Sequence, residues 1–133
     1  MRRLTTLMIG LIITSAGDAA AQNEKAIVHK LKASEFKSKL ETTRDAVLLD
    51  VRMADEVAEG LIPNAMTIDF SAEDFPRSIE ALDKEKTYFV YCASGGQSNQ
   101  TALLMADMGF KKVYCLVGGI SAWKEKKYPI KKN

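Results

Sequence analysis

The sequence predicts one α/β domain with a mostly parallel β-sheet and helices on both faces. Continuous apolar runs, typical of strands buried on both faces, occur at residues 46–51, 88–91 and 113–117. Stretches with helical spacing separate these runs, so strands alternate with helices at short intervals. The 133 residues of the chain suffice for one such domain.

The N-terminus has the three-part pattern of a cleavable secretory signal peptide. Residues 1–3 are a short basic start, residues 4–16 are almost wholly apolar, and residues 19–21 offer an Ala-x-Ala cleavage site. The apolar run is short for a membrane span of about 20 residues, so cleavage is favoured over a stable anchor. We therefore expect a signal peptide at 1–21, a mature domain at 22–133 and export to the periplasm.

The charge balance gives no reason to expect nucleic acid as a partner. The formal net charge is only +2, whereas nucleic-acid-binding domains normally carry a basic patch or stripe. The lysines at residues 124–132 are interpreted as a solvated helix end, where cations suit the helix dipole.

The first third of the chain predicts an edge strand at residues 26–28 and then a short helix. Ser34 is placed to be the N-cap of this helix, in which Phe36 and Leu40 have i, i+4 spacing. His29 is the only histidine. It is interpreted as a surface residue, although a pairing with a cysteine in three dimensions is left open.

The apolar run at residues 46–51 contains Asp50 near its carboxyl end, where open α/β sheets place their ligand sites. Glu56 stands at i+4 from Arg52 on a short helix that Gly60 should end, so an ion pair between Arg52 and Glu56 is the preferred interpretation. Asp50 and Arg52 either orient a neighbouring loop or support the sheet edge, and structural support is favoured.

The next segment predicts a strand and a capped helix. Residues 66–70 alternate apolar and polar like a strand. Ser71 is predicted to cap the following helix, with Asp74 at the third helical position and with Ile79 and Leu82 on the apolar face.

Four β-prone residues then lead directly into Cys92, and a small-residue loop leads into a helix that Gly109 should end. The two glycines of this loop allow backbone N–H groups to turn inward, and the helix N-terminus points at the same place. Such a pocket favours negative charge and would hold Cys92 as a nucleophilic thiolate. The alternative is that Cys92 is a buried, inert core residue.

The second cysteine, Cys115, is predicted not to form a disulfide with Cys92. We place it about three residues before the end of its strand, which offsets the two thiols by about 10 Å at roughly 3.3 Å per residue. A disulfide needs Cα atoms within about 7 Å. Cys115 is therefore expected to be a buried structural thiol, and Trp123 a packing residue of the last helix.

Several stretches resemble the motifs of one family. Residues 48–52 (Leu-Leu-Asp-Val-Arg) resemble its L-[IL]-D-V-R strand end. Residues 56–65 resemble its E-[FY]-x-x-G-H-I-P-G-A segment, with Leu61 and Asn64 in place of His and Gly. Residues 109–123 resemble its ending, G-[FY]-x-x-V followed by G-G-x-x-x-W. The family is the single-domain rhodaneses, and the predicted signal peptide adds a similarity to the small periplasmic rhodaneses of the phage-shock type.

The resemblance implies a five-stranded parallel sheet and transfer of a sulfane sulfur. It implies that the Cys92 thiolate takes sulfur from a donor such as thiosulfate, becomes a persulfide and passes the sulfur to cyanide or another thiol. No metal or organic cofactor is implied, the partners are small sulfur-containing anions, thiols or persulfides, and a monomer is expected. The implied substrate-binding residues are Ala93, Ser94, Gly95, Gly96, Gln97 and Ser98, and the supporting residues are Asp50 and Arg52.

The loop departs from the family pattern in its charge. Many active rhodaneses have arginines at the positions of Ala93 and Gln97. A hydrogen bond to a charged group contributes about 1.5–3 kcal/mol, against about 1 kcal/mol for a neutral one. We therefore predict a high KM for thiosulfate and better turnover with a thiol-bound or persulfide donor.

The same loss of charge bears on two alternative functions. A phosphatase or arsenate reductase is disfavoured, because their loops end in an arginine that clamps the anion. A non-catalytic rhodanese-fold module that binds a partner or carries sulfur passively is left open. The retained cysteine and loop glycines favour the enzyme.

Overall fold

Five parallel strands alternate with five helices within residues 27–132, which are the residues that this computed structural model describes. The signal peptide predicted at residues 1–21 lies outside that range. In chain order the elements are β1 (Ile27–Leu31), α1 (Ala33–Thr42), β2 (Ala46–Asp50), α2 (Ala54–Ala58), β3 (Met66–Thr67), α3 (Phe75–Glu80), β4 (Thr87–Tyr91), α4 (Gly96–Asp107), β5 (Lys112–Leu116) and α5 (Gly119–Glu125).

The strands form one sheet in the order β1-β5-β4-β2-β3, and every pairing is parallel. The carboxyl ends of all strands therefore meet at one edge of the sheet. The strand β4 has neighbours on both sides, so the residue that follows it lies near the middle of that edge. This architecture confirms the predicted α/β fold with a parallel five-stranded sheet.

Helices cover both faces of the sheet, which explains why the strands read as continuous apolar runs. On one face, which we call the α4 face, Tyr88 and Val90 of β4 pack with buried residues of α3 and α4. On the other, the α5 face, Phe89 and Tyr91 pack with buried residues of α1 and α5, among them Trp123. The predicted packing role of Trp123 is thus confirmed.

Two helix starts differ from the sequence predictions. The helix α1 begins at Ala33 after Lys32, without a side-chain cap, so Ser34 lies inside the helix. Burial of both Ala33 and Phe36 requires this earlier start. The helix α3 begins at Phe75, and the hydroxyl of Ser71 instead donates to the carboxylate of Asp69.

The strand predicted at residues 66–70 is only two residues long, Met66–Thr67. The carboxylate of Asp69 draws the chain into a turn by accepting the N–H of Ser71 at 2.8 Å. These bonds to Ser71 also lower the pKa of Asp69. None of the helices in the described range is long and apolar enough to cross a membrane.

Candidate active site

Cys92 directly follows β4 at the carboxyl edge of the sheet, as the sequence predicts. Its side chain packs on the α4 face, and the residue is only 2% exposed. The N–H of Val51 bonds the carbonyl of Tyr91 at 3.1 Å and continues the pairing to the residue before the cysteine. The thiol therefore follows a strand that has neighbours on both sides, and it is almost completely buried.

The loop after Cys92 folds back onto its sulfur. The N–H of Gly95 donates to the Sγ of Cys92 at 3.1 Å. Gly95 has a φ of +116°, which L side chains rarely adopt, so this position requires glycine. The hydroxyl of Ser98 lies 3.5 Å from the same sulfur and donates to the carbonyl of Gly95 at 3.1 Å. Two groups of the loop thus converge on the thiol.

The remaining loop residues differ in their exposure. Ser94 and Gly96 are exposed, and Ala93 and Gln97 are half-buried. The helix α4 starts at Gly96, and its first turn has no acidic side chain. Of the six residues named from the sequence, Gly95 and Ser98 contact the Cys92 sulfur, and none of the six carries a positive charge.

The helix α5 supports the loop from the α5 face, a contact that the sequence analysis did not identify. The carbonyl of Cys92 accepts the N–H of Ile120 at 2.9 Å. The carbonyl of Ala93 accepts the N–H of Ser121 at 3.3 Å and its hydroxyl at 3.1 Å. Both carbonyls are therefore engaged by α5, whereas the N–H of Gly95 faces the sulfur.

This support depends on the absence of a side chain at Gly119. A Cβ at that position would lie 2.5 Å from the carbonyl oxygens of Cys92 and Ala93, and the φ of Gly119 is +60°. The pair Gly118-Gly119 in the sequence indicates a close approach of backbone. The sequence does not show that the approaching backbone is that of Cys92 and Ala93.

Asp50 and Arg52 form a buried ion pair on the α5 face, opposite to the Cys92 thiol. The Nη2 of Arg52 donates to the Asp50 carboxylate at 2.7 Å, and the Nε donates at 3.0 Å. Burial alone would lower the pKa of Arg52, but the hydrogen bonds and charge of Asp50 outweigh it and hold the pKa above its ordinary value.

The predicted ion pair between Arg52 and Glu56 is wrong. The guanidinium instead donates to two main-chain carbonyls, that of Glu56 at 3.3 Å and that of Gly60 at 2.7 Å. The buried carboxylate of Asp50 is the ion-pair partner of the guanidinium. The remaining guanidinium N–H groups donate to the carbonyls at the end of α2. The guanidinium also lies over the ring of Tyr91, 5.7 Å from its centroid. The pair thus supports the sheet edge and reaches the loop only through the residue before Cys92.

Cys115 is a free, buried thiol, as predicted, and so is Cys92. Its position differs from the prediction, because it lies one residue before the end of β5 and pairs with Val90. The offset from Cys92 is thus two residues, or about 6.6 Å along the strands. Its Sγ lies 3.6 Å from the carbonyl oxygen of Ser98. Burial raises the pKa of Cys115 to about 11.

His29 does not pair with Cys92. Its ring stacks on Tyr114, with centroids 5.3 Å apart, and Tyr114 belongs to the α5 face. The thiol of Cys92 is on the other side of the sheet. Among the described residues, no group of three or more His, Cys, Asp or Glu side chains is arranged to hold a metal ion.

Known proteins share this arrangement of sequence and fold. Residues 32–126 match the rhodanese-like domain family. The putative sulfurtransferase YtwF of Bacillus subtilis is 36% identical over 102 residues, which cover 77% of this chain and 96% of YtwF. The thiosulfate sulfurtransferase GlpE of Coxiella burnetii is 41% identical over 81 residues, which cover 61% of this chain and 74% of GlpE.

A solved structure agrees with these relatives. The crystal structure of a rhodanese-related protein from Thermoplasma volcanium superposes with a TM-score of 0.69 at 27% identity and covers 79% of this chain and 99% of that protein. The sulfurtransferase relatives support a rhodanese-type role in sulfur transfer. With the parallel sheet and the cysteine loop at its carboxyl edge, these matches lead to one conclusion: this chain belongs to the rhodanese-like domain family.

Proposed function

We propose that the protein is a periplasmic sulfurtransferase that carries a sulfane sulfur as a persulfide of Cys92. The observation that carries this proposal is the N–H of Gly95, which points at the Sγ of Cys92 from 3.1 Å. A backbone donor at this distance stabilises negative charge on sulfur, and the N-terminus of α4 adds to the effect. Both the thiolate and the persulfide anion carry that charge, so the loop suits both states of the cycle.

In the first half-reaction the Cys92 thiolate attacks the outer sulfur of the donor. With thiosulfate, a new S–S bond forms to Cys92, the S–S bond of the donor breaks, and sulfite leaves with the electron pair. In the second half-reaction cyanide or an acceptor thiolate attacks the outer sulfur of the persulfide. Thiocyanate or a new persulfide forms, and the Cys92 thiolate is regenerated. The two steps predict ping-pong kinetics.

The charge of the loop bears on the donor. Residues 93–98 contain no lysine or arginine. A dianion such as thiosulfate gains less from neutral donors than from cations. We therefore propose a weak affinity for thiosulfate and a preference for a thiol-bound or persulfide donor. The name of the relative GlpE includes thiosulfate, which supports that anion as a substrate to test first.

The site of action is proposed from the N-terminal sequence. Cleavage before Gln22 would release the mature domain into the periplasm. Expression of the full chain, followed by cell fractionation and intact mass measurement, tests this. A periplasmic protein that begins at Gln22 is expected, and a full-length protein in the cytoplasm would contradict the proposal.

Intact mass spectrometry tests the chemistry. The mature wild type, Cys92→Ser and Cys115→Ser are each incubated with thiosulfate or with a persulfide donor, and then with cyanide. We expect the wild type and Cys115→Ser to gain one sulfur atom and to lose it to cyanide, whereas Cys92→Ser gains none. Absence of the adduct with both donors would contradict sulfur transfer at Cys92.

A non-catalytic rhodanese-fold module is the second candidate. The uncharged loop and the 2% exposure of Cys92 favour it. The two candidates differ in the reactivity of the thiol. Rapid alkylation of native Cys92 by iodoacetamide at mildly acidic pH supports the enzyme, and alkylation only after unfolding supports the module.

A further inference from the structure

A cavity of about 240 Å³ opens beside the Cys92 loop, between the ends of β1 and β5 and the start of α4. It is lined by Lys30, Asn99 and Cys115, together with loop residues 94–96 and residues 116–118. No acidic residue lines it. Cys92 is not among the residues that line it.

The cavity has a positive electrostatic character from two sources. The first source is Lys30, an exposed residue that lies opposite Cys115 in the pairing of β1 with β5 and lines the cavity. Within residues 27–132, Lys30 has no carboxylate at ion-pair distance. The second source is the N-terminus of α4, a twelve-residue helix whose first turn has neither an acidic residue nor a side-chain cap.

The donors around the cavity match an oxyanion. An ammonium and a carboxamide N–H₂ group are both hydrogen-bond donors, and Lys is a common ligand of anionic oxygens. We propose that this cavity is a second anion site, in which a small oxyanion of the sulfate, sulfonate or carboxylate class binds between the ammonium of Lys30 and the carboxamide of Asn99.

The geometry also connects this site to the catalytic loop. Gly95 lines the cavity, and its N–H contacts the Sγ of Cys92 at 3.1 Å. Gly95 therefore contacts both the cavity and the sulfur. Lys30 provides from β1 a cation that the loop itself lacks. The proposal concerns binding alone and does not depend on sulfur transfer.

An NMR titration of the wild-type domain tests the site. Sulfate, methanesulfonate and acetate are added separately at constant ionic strength, with chloride as the balancing ion. We expect saturable shifts of the amide signals of Gly95, Gly96, Val117 and Gly118 with at least one of these anions. The anion that binds most tightly distinguishes an inorganic oxyanion from the anionic group of an organic molecule.

Variants then assign the binding to named residues. Lys30→Gln and Asn99→Leu should each raise the apparent Kd at least fivefold. The control is Lys112→Gln, which removes the same charge from β5 at the opposite end of the sheet, where Lys112 pairs with Ile27; its Kd should match that of the wild type. Absence of saturable shifts, or an equal loss in Lys30→Gln and Lys112→Gln, would overturn the proposal.

Discussion

The main-chain N–H of Ile120 donates a 2.9 Å hydrogen bond to the carbonyl of Cys92. This bond ties the peptide of Cys92 to the first turn of α5, on the face of the sheet opposite the thiol. The orientation of the loop is thus determined by a helix that supplies no side chain to the sulfur. Changes at the start of α5 should therefore affect the chemistry of Cys92.

Gly119→Ala should abolish this support. The new Cβ would lie 2.5 Å from two carbonyl oxygens, so either the loop or α5 must move. We expect the rate of persulfide formation to fall at least 100-fold. Single-turnover experiments with thiosulfate, at a temperature below the unfolding transition of the variant, measure this rate.

The matched control for that substitution is Gly109→Ala. Gly109 also has a positive φ, +90°, but a Cβ there has no atom within 4 Å. We expect a loss of about 1–2 kcal/mol in the free energy of unfolding from backbone strain alone, with an unchanged rate of transfer. If both variants retain the wild-type transfer rate, the proposed role of α5 is wrong.

Ala93→Arg should improve the use of thiosulfate. Ala93 directly follows Cys92 and is half-buried, and an arginine there would add a bidentate donor for a dianion. We expect the KM for thiosulfate to fall about tenfold, in line with a charge-assisted hydrogen bond. Steady-state assays with cyanide as the acceptor measure it. Gln100→Arg adds the same charge to the exposed outer side of α4 and should leave the KM within twofold; an equal fall in both variants would point to net charge instead.

Arg52→Met should destabilise the fold without a direct effect on sulfur transfer. Removal of the guanidinium leaves the fully buried carboxylate of Asp50 without its partner, which costs about 3–5 kcal/mol in the free energy of unfolding. The double variant Asp50→Leu/Arg52→Met should recover part of this loss. Urea unfolding measures both, with Glu41→Gln as an exposed control that changes stability by no more than about 0.5 kcal/mol. Additive losses in the double variant would argue against the buried pair.

The stability of the domain should fall in alkaline solution because of Cys115. Its pKa is raised by burial from 9.0 to about 11, so the folded state keeps the proton that the unfolded chain loses. Below pH 9 the thiol is protonated in both states, and the free energy of unfolding is unaffected. Between pH 9 and pH 11 the unfolded chain loses the proton first, so the free energy of unfolding falls by roughly 2–3 kcal/mol. Urea unfolding in a Cys92→Ser background, with and without Cys115→Ala, isolates the effect. The stability difference between the two variants should shrink from pH 8 to pH 10.5, and a constant difference would contradict it.

The sequence predicts those parts of the fold that depend on burial of a whole segment. The strands β2, β4 and β5 are covered on both faces, so their composition alone identifies them. The placement of Cys92 followed directly, because a glycine-rich loop after a buried strand has few other interpretations. The glycines that end α2 and α4, Gly60 and Gly109, were identified in the same way, since both have the positive φ expected of a helix terminus.

Features that depend on long-range contacts were not predicted. Ser34 and Ser71 match the local pattern of helix caps, but burial of Phe36 and the turn at Asp69 decide where those helices begin. The partner of Arg52 is set by burial next to Asp50, although Glu56 has the favourable helical spacing. A short stretch of sequence does not show how deeply a side chain is buried or which residues of distant segments lie next to it.

Asn64 stands where the family pattern has glycine. Its φ is +70°, and asparagine is among the few residues that tolerate this conformation. The departure therefore keeps the backbone that glycine would provide. By contrast, neither Ala93 nor Gln97 can reproduce the charge of an arginine, so those departures alter chemistry and not shape.

The parallel sheet also determines the distance between the start of β1 and the Cys92 thiol. Ile27 is aligned with Lys112 and hence with Thr87, five residues before Cys92. At about 3.3 Å per residue, the start of β1 lies about 17 Å from the level of the cysteine. The first residue of β1 therefore lies at the edge of the sheet opposite to the edge that carries the Cys92 loop. A probe attached at the start of β1 would sit about one strand length from the thiol.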